Sequence, residues 1–272
     1  MHIICPIAGV GSELQPFIIS KPKGLIRIAG MRIIDHGISL LKQYFPKKTS
    51  LTFIIGYKKE IIRPYLEEKF GDYFNLIFKV QKPIGLRGEI PYFSGIGDAI
   101  ALAAPEARGK DIFIFFSDHL PTEPFQNMQD LLADPQIDGV INVRQVANPE
   151  YYGVCVTNKN LEIKEVVEKP ATPLSDLAIT WGYMFSHNIT NKMFDLLEKQ
   201  AQQPLAPNKT HDFTHIIQNL LDDGANFKAH LMKKPILDFG RIDDFLNGNR
   251  ILITEASLNP LLVPEKQGEN IA

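Results

Sequence analysis

The sequence is poor in cysteine, with two in 272 residues, and both Cys5 and Cys155 stand in apolar, strand-like surroundings. That argues against a disulfide framework and points to buried thiols in a reducing compartment, the cytoplasm by default. An excess of one charge is also missing. Lys and Arg number 29 against 31 Asp and Glu, and the formal balance of −2 gives no reason to expect nucleic acid or an acidic membrane as partner. No run reaches the roughly 18 apolar residues a membrane helix needs, and no targeting segment, low-complexity tract or internal repeat is evident, so a soluble protein is expected.

What is present suits one sizeable α/β domain. Residues 1–256 are expected to form it. Residues 257–272, with Pro260, Pro264 and Gly268, read as a poorly ordered tail.

The chain opens with an apolar run, His2 to Ala8, the length of a buried strand, and it ends in Gly9-Val10-Gly11. Two glycines at that spacing let the backbone turn sharply and approach a ligand, and the freed N–H groups can point at a phosphate. The next well-placed cation is Lys23, ahead of the apolar Leu25-Ile26. Strand, glycine turn and lysine outline a nucleotide site, although a G-x-G after a strand is often only a tight turn.

Further along, the spacing predicts a helix over Ile33 to Tyr44, a strand at Leu51 to Ile55, a helix over Ile61 to Phe70 and a strand at Asn75 to Val80. Alternation of this kind predicts a mostly parallel sheet wrapped by helices. Gln81 to Ser94 reads as a long irregular loop, and Gly95 starts an alanine-rich helix. Asp111 to Phe116 is the most apolar strand, delivering Ser117-Asp118-His119 at its carboxyl end, where ligands gather in open α/β sheets. A hairpin-like pair follows at Gly153 to Val156 and Leu161 to Val167, then a strand at Trp181 to Phe185. Helices are expected over Thr190 to Gln200, over Asp212 to Leu221 with Asp212 as its cap, and over Asp243 to Thr254.

Asp118, at the mouth of an apolar strand, lies where a cation bound to phosphates would sit. Asp238 is similar, after Ile236-Leu237 and before Gly240 and a helix. Together they could hold one Mg²⁺, a small hard ion that wants oxygen ligands and leaves room for triphosphate oxygens. Glu168-Lys169-Pro170 forms a third charged group at the end of a strand. Each alone could be an ordinary turn or cap.

The spelling narrows these choices. P-I-A-G-V-G-S-E-L-Q-P followed by S-K-P-K-G-L resembles the A-G-x-G-T-R-L-x-P and P-K-x-L signature of the nucleotidyltransferases that make sugar nucleotides. E-K-P-A-T-P-L-S-D-L-A-I-T-W-G-Y-M-F resembles that family's sugar-binding segment, with Trp181 as one extra residue. Y-Y-G-V, G-I-G-D-A-I and H-D-F-T-H-I-I-Q-N-L-L resemble three more of its motifs in family order. The resemblance runs from Ile3 to about Leu252, closest in spelling to the bacterial UDP-glucose and dTDP-glucose pyrophosphorylases.

The resemblance implies a Rossmann-like three-layer α/β/α domain and an enzyme that condenses a nucleoside triphosphate with a sugar 1-phosphate, releasing pyrophosphate. By position, Ala8, Gly9, Gly11, Ser12 and Glu13 would face the nucleotide phosphates, with Gln81 and Gly95 near the base. Lys23 would neutralise the α-phosphate, and Asp118 with Asp238 would hold Mg²⁺. Lys169 would take the sugar phosphate, Glu168 and Gly153 the sugar hydroxyls, and a homo-oligomer is implied as well. One position departs: Glu13 stands where the family carries the arginine that braces the leaving pyrophosphate. Three readings follow: an enzyme in which Arg27 or Arg87 substitutes, a slow enzyme, or a relative that binds a nucleotide or phosphosugar without turnover. A cytidylyltransferase for a non-sugar phosphate such as choline phosphate is a further alternative.

Overall fold

Side chains of successive strand residues point to opposite faces of a sheet, and the buried residues here separate by that rule. Ile4, Ile112 and Ile114 enter one hydrophobic cluster, whereas Ile3, Cys5, Phe113 and Phe115 enter another on the far face. In the computed structural model, which describes residues 1–121, 126–206, 209–234 and 236–256, the sheet is therefore the middle of three layers. The helices Ile96–Ala101, His187–Ala201 and Phe213–Asp222 cover the first face; Ile33–Tyr44, Lys59–Phe70 and Gln126–Leu132 cover the second.

Nine strands among the described residues make up the main sheet. One half is parallel, in the order Asn75–Val80, Ser50–Ile55, His2–Pro6, Ile112–Phe115. The inner three are almost wholly buried, which explains why they read as continuous apolar runs rather than alternating ones. Leu177–Phe185 joins this half antiparallel to Ile112–Phe115 and carries two further groups of strands. Gly139–Gln145 pairs with it and leads on to the parallel Phe227–Leu231, while the hairpin Gly153–Thr157 with Ile163–Glu168 meets it at Val154 and Ala178.

Three local features differ from the sequence reading. Within the stretch from Gln81 to Ser94 an antiparallel pair forms, Gly85–Arg87 with Ile90–Tyr92, because Gly88 takes φ +64° and closes a two-residue turn. Asp212 does precede its helix, but its carboxylate accepts the Thr210 hydroxyl at 2.8 Å instead of capping a backbone N–H. Trp181, the extra residue, sits at φ +30° where the register of Leu177–Phe185 slips past Asn142, and the bulge turns its ring into the core, edge-on to Phe113 at 5.2 Å. Residues 257–272, read as a tail, lie outside the described residues.

A third cluster is small but positions the site. Val10, Leu14 and Ile18 from the glycine loop, Ile26 and Ile28 beyond Lys23, and Leu237, Phe239, Phe245 and Leu252 from the end of the chain bury one another. Phe17 stacks on Phe245 at 5.8 Å, and the Ala29 N–H donates to Asn249 Oδ1 at 2.7 Å. The helix Ile242–Ala256 is thus the support on which the first loop rests.

Candidate active site

The glycine loop leaves the strand His2–Pro6 at the carboxyl end of the parallel half. Ala8 is buried, and its carbonyl accepts the Tyr57 N–H at 2.9 Å, so it serves as the seam between loop and sheet. A Cβ on Gly9 would meet nothing within 4 Å; this glycine faces open space. Gly11 differs. It has φ +73°, and a Cβ there would lie 3.0 Å from Lys23 Cδ, so the turn is packed on the lysine stem. Ser12 to Leu14 form a single 3₁₀ turn that leaves Glu13 exposed.

Lys23 donates directly to Asp118, across 95 residues of sequence. The strand pair His119–Pro121 with Ile236–Asp238 sets Asp238 opposite His119, and the Phe239 N–H donates to the Asp118 carbonyl at 2.9 Å. Gly240 closes the group: a Cβ there would stand 2.9 Å from Asp238 Oδ1 and 3.8 Å from Lys23 Nζ. Three distant stretches therefore converge on one spot. Burial pushes the Asp118 carboxyl up, but the Lys23 ammonium and His119 outweigh it and hold it well below the usual carboxylate range. Burial likewise raises Asp238 and His119 counters it, leaving a net lowering, with His119 Nε2 3.4 Å from Asp238 Oδ1. His119 shifts the other way: burial lowers it, and Asp238 and Asp118 raise it further.

The donor set fits Mg²⁺. Two carboxylates, both shifted toward the ionised form, converge here partly open, Asp118 on the Lys23 ammonium and Asp238 on the His119 imidazole, and no group of three or more His, Cys, Asp or Glu side chains among the described residues forms a complete protein cage for a metal. An ion that retains several waters and takes phosphate oxygens needs no more protein ligands than this.

The second charged group lies farther along the sheet. On one edge of Leu177–Phe185, Phe115 sits opposite Gly182 and Val154 opposite Ala178, so Gly153, level with Ile179, is about 10 Å beyond the end of Ile112–Phe115. Gly153 pairs with Glu168, and a Cβ on it would strike Thr214 Cγ2 at 2.9 Å and Glu168 Oε2 at 3.1 Å. Thr214 donates to that oxygen at 3.1 Å. Burial and the nearby Asp212 nevertheless raise the Glu168 carboxyl above its usual range. Lys169, at φ +42°, donates its N–H to the Tyr152 carbonyl and is mostly exposed, its Nζ 3.9 Å from Glu168 Oε1. Gln81 and Gly95 are together despite the intervening hairpin, since Gln81 Nε2 donates to the Gly95 carbonyl at 2.9 Å. Gly95 has φ +131° and backs onto the His211 main chain, 2.6 Å from a Cβ built there.

Comparison with known proteins bears on the family and the fold. Residues 7–255 match the model of the nucleotidyl transferase family. The chain belongs to that family. Among relatives of this nucleotidyl transferase chain, the low-salt glycan biosynthesis nucleotidyltransferase Agl11 of Haloferax volcanii is 24% identical over 92% of the chain and 65% of its own length. The UTP--glucose-1-phosphate uridylyltransferase AglF of the same organism is 29% identical over 68% of the chain and 72% of its own length. The chain thus spans about two thirds of each. A solved structure of UDP-glucose pyrophosphorylase complexed with UDP-glucose superimposes with a TM-score of 0.75, at 18% identity, covering 93% of this chain and 98% of that one, and so shares the fold.

Sequence reasoning missed the partners of these residues. Thr214 lies in a quoted motif, but nothing local says that its hydroxyl faces Glu168. Arg241 was not singled out, yet its Nε stands 4.0 Å from Glu13 Oε2. Arg27 donates to the Gly30 carbonyl and Arg87 lies over the Tyr92 ring. Both arginines considered from sequence make these contacts within their own hairpins.

Proposed function

We propose that the protein is a sugar-1-phosphate nucleotidyltransferase: a sugar-phosphate oxygen attacks the α-phosphorus of a nucleoside triphosphate, the bond to the bridging oxygen breaks, and pyrophosphate leaves. The observation that carries this reading is the convergence of Lys23, Asp118 and Asp238 beneath the glycine loop. Such a reaction asks the protein for position and charge rather than covalent chemistry. Gly9 to Ser12 lie against the phosphates, where an open face at Gly9 permits close approach. Lys23, its stem held by Gly11, places its ammonium at the α-phosphate as negative charge builds there. Asp118 and Asp238 would hold one Mg²⁺, which when bound screens the triphosphate from the attacking anion.

At the other end, Lys169 takes the sugar phosphate, and Glu168 with the Gly153 main chain takes sugar hydroxyls, the carboxylate aimed by Thr214. Gln81, turned by its bond to Gly95, faces the base. Residues 1–256 act as one domain, which we place in the cytoplasm, in keeping with the two buried unpaired cysteines, and as a homo-oligomer. Among the described residues, no helix is long and apolar enough to cross a membrane.

Pyrophosphate release from each nucleoside triphosphate, paired with a panel of sugar 1-phosphates and with choline phosphate, tests the proposal. We expect release with at least one sugar 1-phosphate, its loss with EDTA and its return with Mg²⁺. Turnover with choline phosphate alone would move the assignment to a non-sugar acceptor. Saturable thermal shifts by nucleotide without release from any pair would make the chain a binding protein, a reading that the exposed carboxylate of Glu13 favours.

A further inference from the structure

A nucleoside triphosphate brings its densest negative charge at its β- and γ-phosphates, yet the glycine loop ends in a carboxylate, Glu13. Left alone, that group would repel the departing pyrophosphate. It is not left alone. Arg241 faces it at 4.0 Å, and the two side chains are 59% and 69% exposed, so both reach solvent rather than lying buried in a core.

The position of Arg241 is set from three sides. It follows Gly240, whose N–H donates to Asp238 Oδ1 at 2.7 Å and whose Cα looks toward Lys23 Nζ. The guanidinium lies 5.9 Å from the Tyr151 ring, and the next residue, Tyr152, accepts the Lys169 N–H. It also borders a cavity of about 420 Å³ whose lining includes Arg144 and Tyr152 as well as the carboxylates Asp243 and Asp244. Arg241 thus bridges the glycine loop, the aspartate pair and the hairpin that carries Lys169. A planar guanidinium with a fork of donors suits two phosphate oxygens at once.

We propose that Arg241 is the cation that receives the leaving pyrophosphate, and that Glu13 is a positioning residue that holds the guanidinium toward the glycine loop. The charge at the end of this loop comes from the far end of the chain, across the third hydrophobic cluster, instead of from the loop itself. A surface ion pair between two exposed side chains contributes little to stability, so its worth here is where it puts the arginine.

This inference rests on the transferase reading but is tested apart from it, by calorimetric titration of the full chain with inorganic pyrophosphate and Mg²⁺. Arg241→Ala and Arg241→Gln should each weaken binding by about tenfold or more, with unchanged melting temperature and unchanged affinity for a sugar 1-phosphate. Glu13→Ala should weaken it by a smaller factor when Arg241 is present and should not weaken it in the Arg241→Ala background. Moving the cation into the loop, as Glu13→Arg with Arg241→Ala, should recover most of the loss. Pyrophosphate affinity within twofold of wild type in both Arg241 variants would overturn the proposal, as would no recovery in the double variant or no pyrophosphate binding by the wild-type chain. Wild-type pyrophosphate binding that depends on Arg241, without turnover from any substrate pair, would sink the transferase reading and leave Arg241 as the pyrophosphate-binding cation of a binding protein.

Discussion

Lys23 fills the space that a side chain on Gly11 would need: a Cβ built there comes within 3.0 Å of Lys23 Cδ and 3.3 Å of Lys23 Cβ. The loop and the lysine are therefore one unit, so the glycine turn also aims the ammonium at Asp118. Gly11→Ala meets both a positive φ, costing about 1–2 kcal/mol, and a displaced lysine. It should lower the melting temperature by about 2–6 °C and kcat/KM by about tenfold or more. Gly9→Ala, with nothing within 4 Å, should leave the melting temperature unchanged and raise KM for the nucleotide. Equal effects of the two substitutions on both readouts would contradict this division of labour.

In the proposed sugar-phosphate site the sensitive contact is the Thr214 hydroxyl on Glu168 Oε2. Burial and Asp212 already raise this carboxyl, and the hydroxyl opposes them. Removing it in Thr214→Val should raise the Glu168 pKa further, free its rotamer and increase KM for the sugar phosphate by about three- to tenfold. KM for the nucleotide should not move. Because a protonated carboxyl accepts hydroxyls less well, the penalty should grow as pH falls from 7 toward 5, and a pH-independent KM ratio between variant and wild type would argue against Glu168 as the hydroxyl acceptor.

Stability should carry a separate acid signature from His2. This imidazole is buried in the first strand, with Nε2 2.8 Å from Thr52 Oγ1, and burial followed by the Lys110 charge lowers its pKa from 6.5 to about 4. Its folded value is depressed, so between about pH 6.5 and 4 the unfolded chain takes up a proton that the folded chain refuses, and stability falls as pH falls. The loss from this group is about 2 kcal/mol between pH 7 and pH 5. His36 acts in the same direction, while His119, raised by its two aspartates, acts in the opposite one. Urea unfolding of wild type and His2→Gln across this range isolates the His2 share: the variant should have the flatter profile, and identical profiles would remove His2 as its source.

Much of the scaffold was legible without coordinates because strands and helices write their periods locally. The buried runs at His2–Pro6, Ser50–Ile55 and Ile112–Phe115 are apolar since helices cover both sheet faces, and each carboxyl end is marked by Gly, Ser or Asp. Asp118 and Asp238 could be named because they are carboxylates at strand ends, and Lys23 because it is the next well-placed cation after the glycine turn.

The partners were not legible, because a side-chain contact depends on which remote segment the core brings up to it. Val10, Leu14, Leu237 and Phe245 are ordinary apolar residues in sequence, and only their joint burial sets Arg241 against Glu13. The residues alone thus determined the layered sheet, the glycine loop at its edge and the charged groups available to it. Tertiary packing decided which charges meet, since hydrophobic burial has no direction of its own and acquires one only when the strands and helices have taken their places.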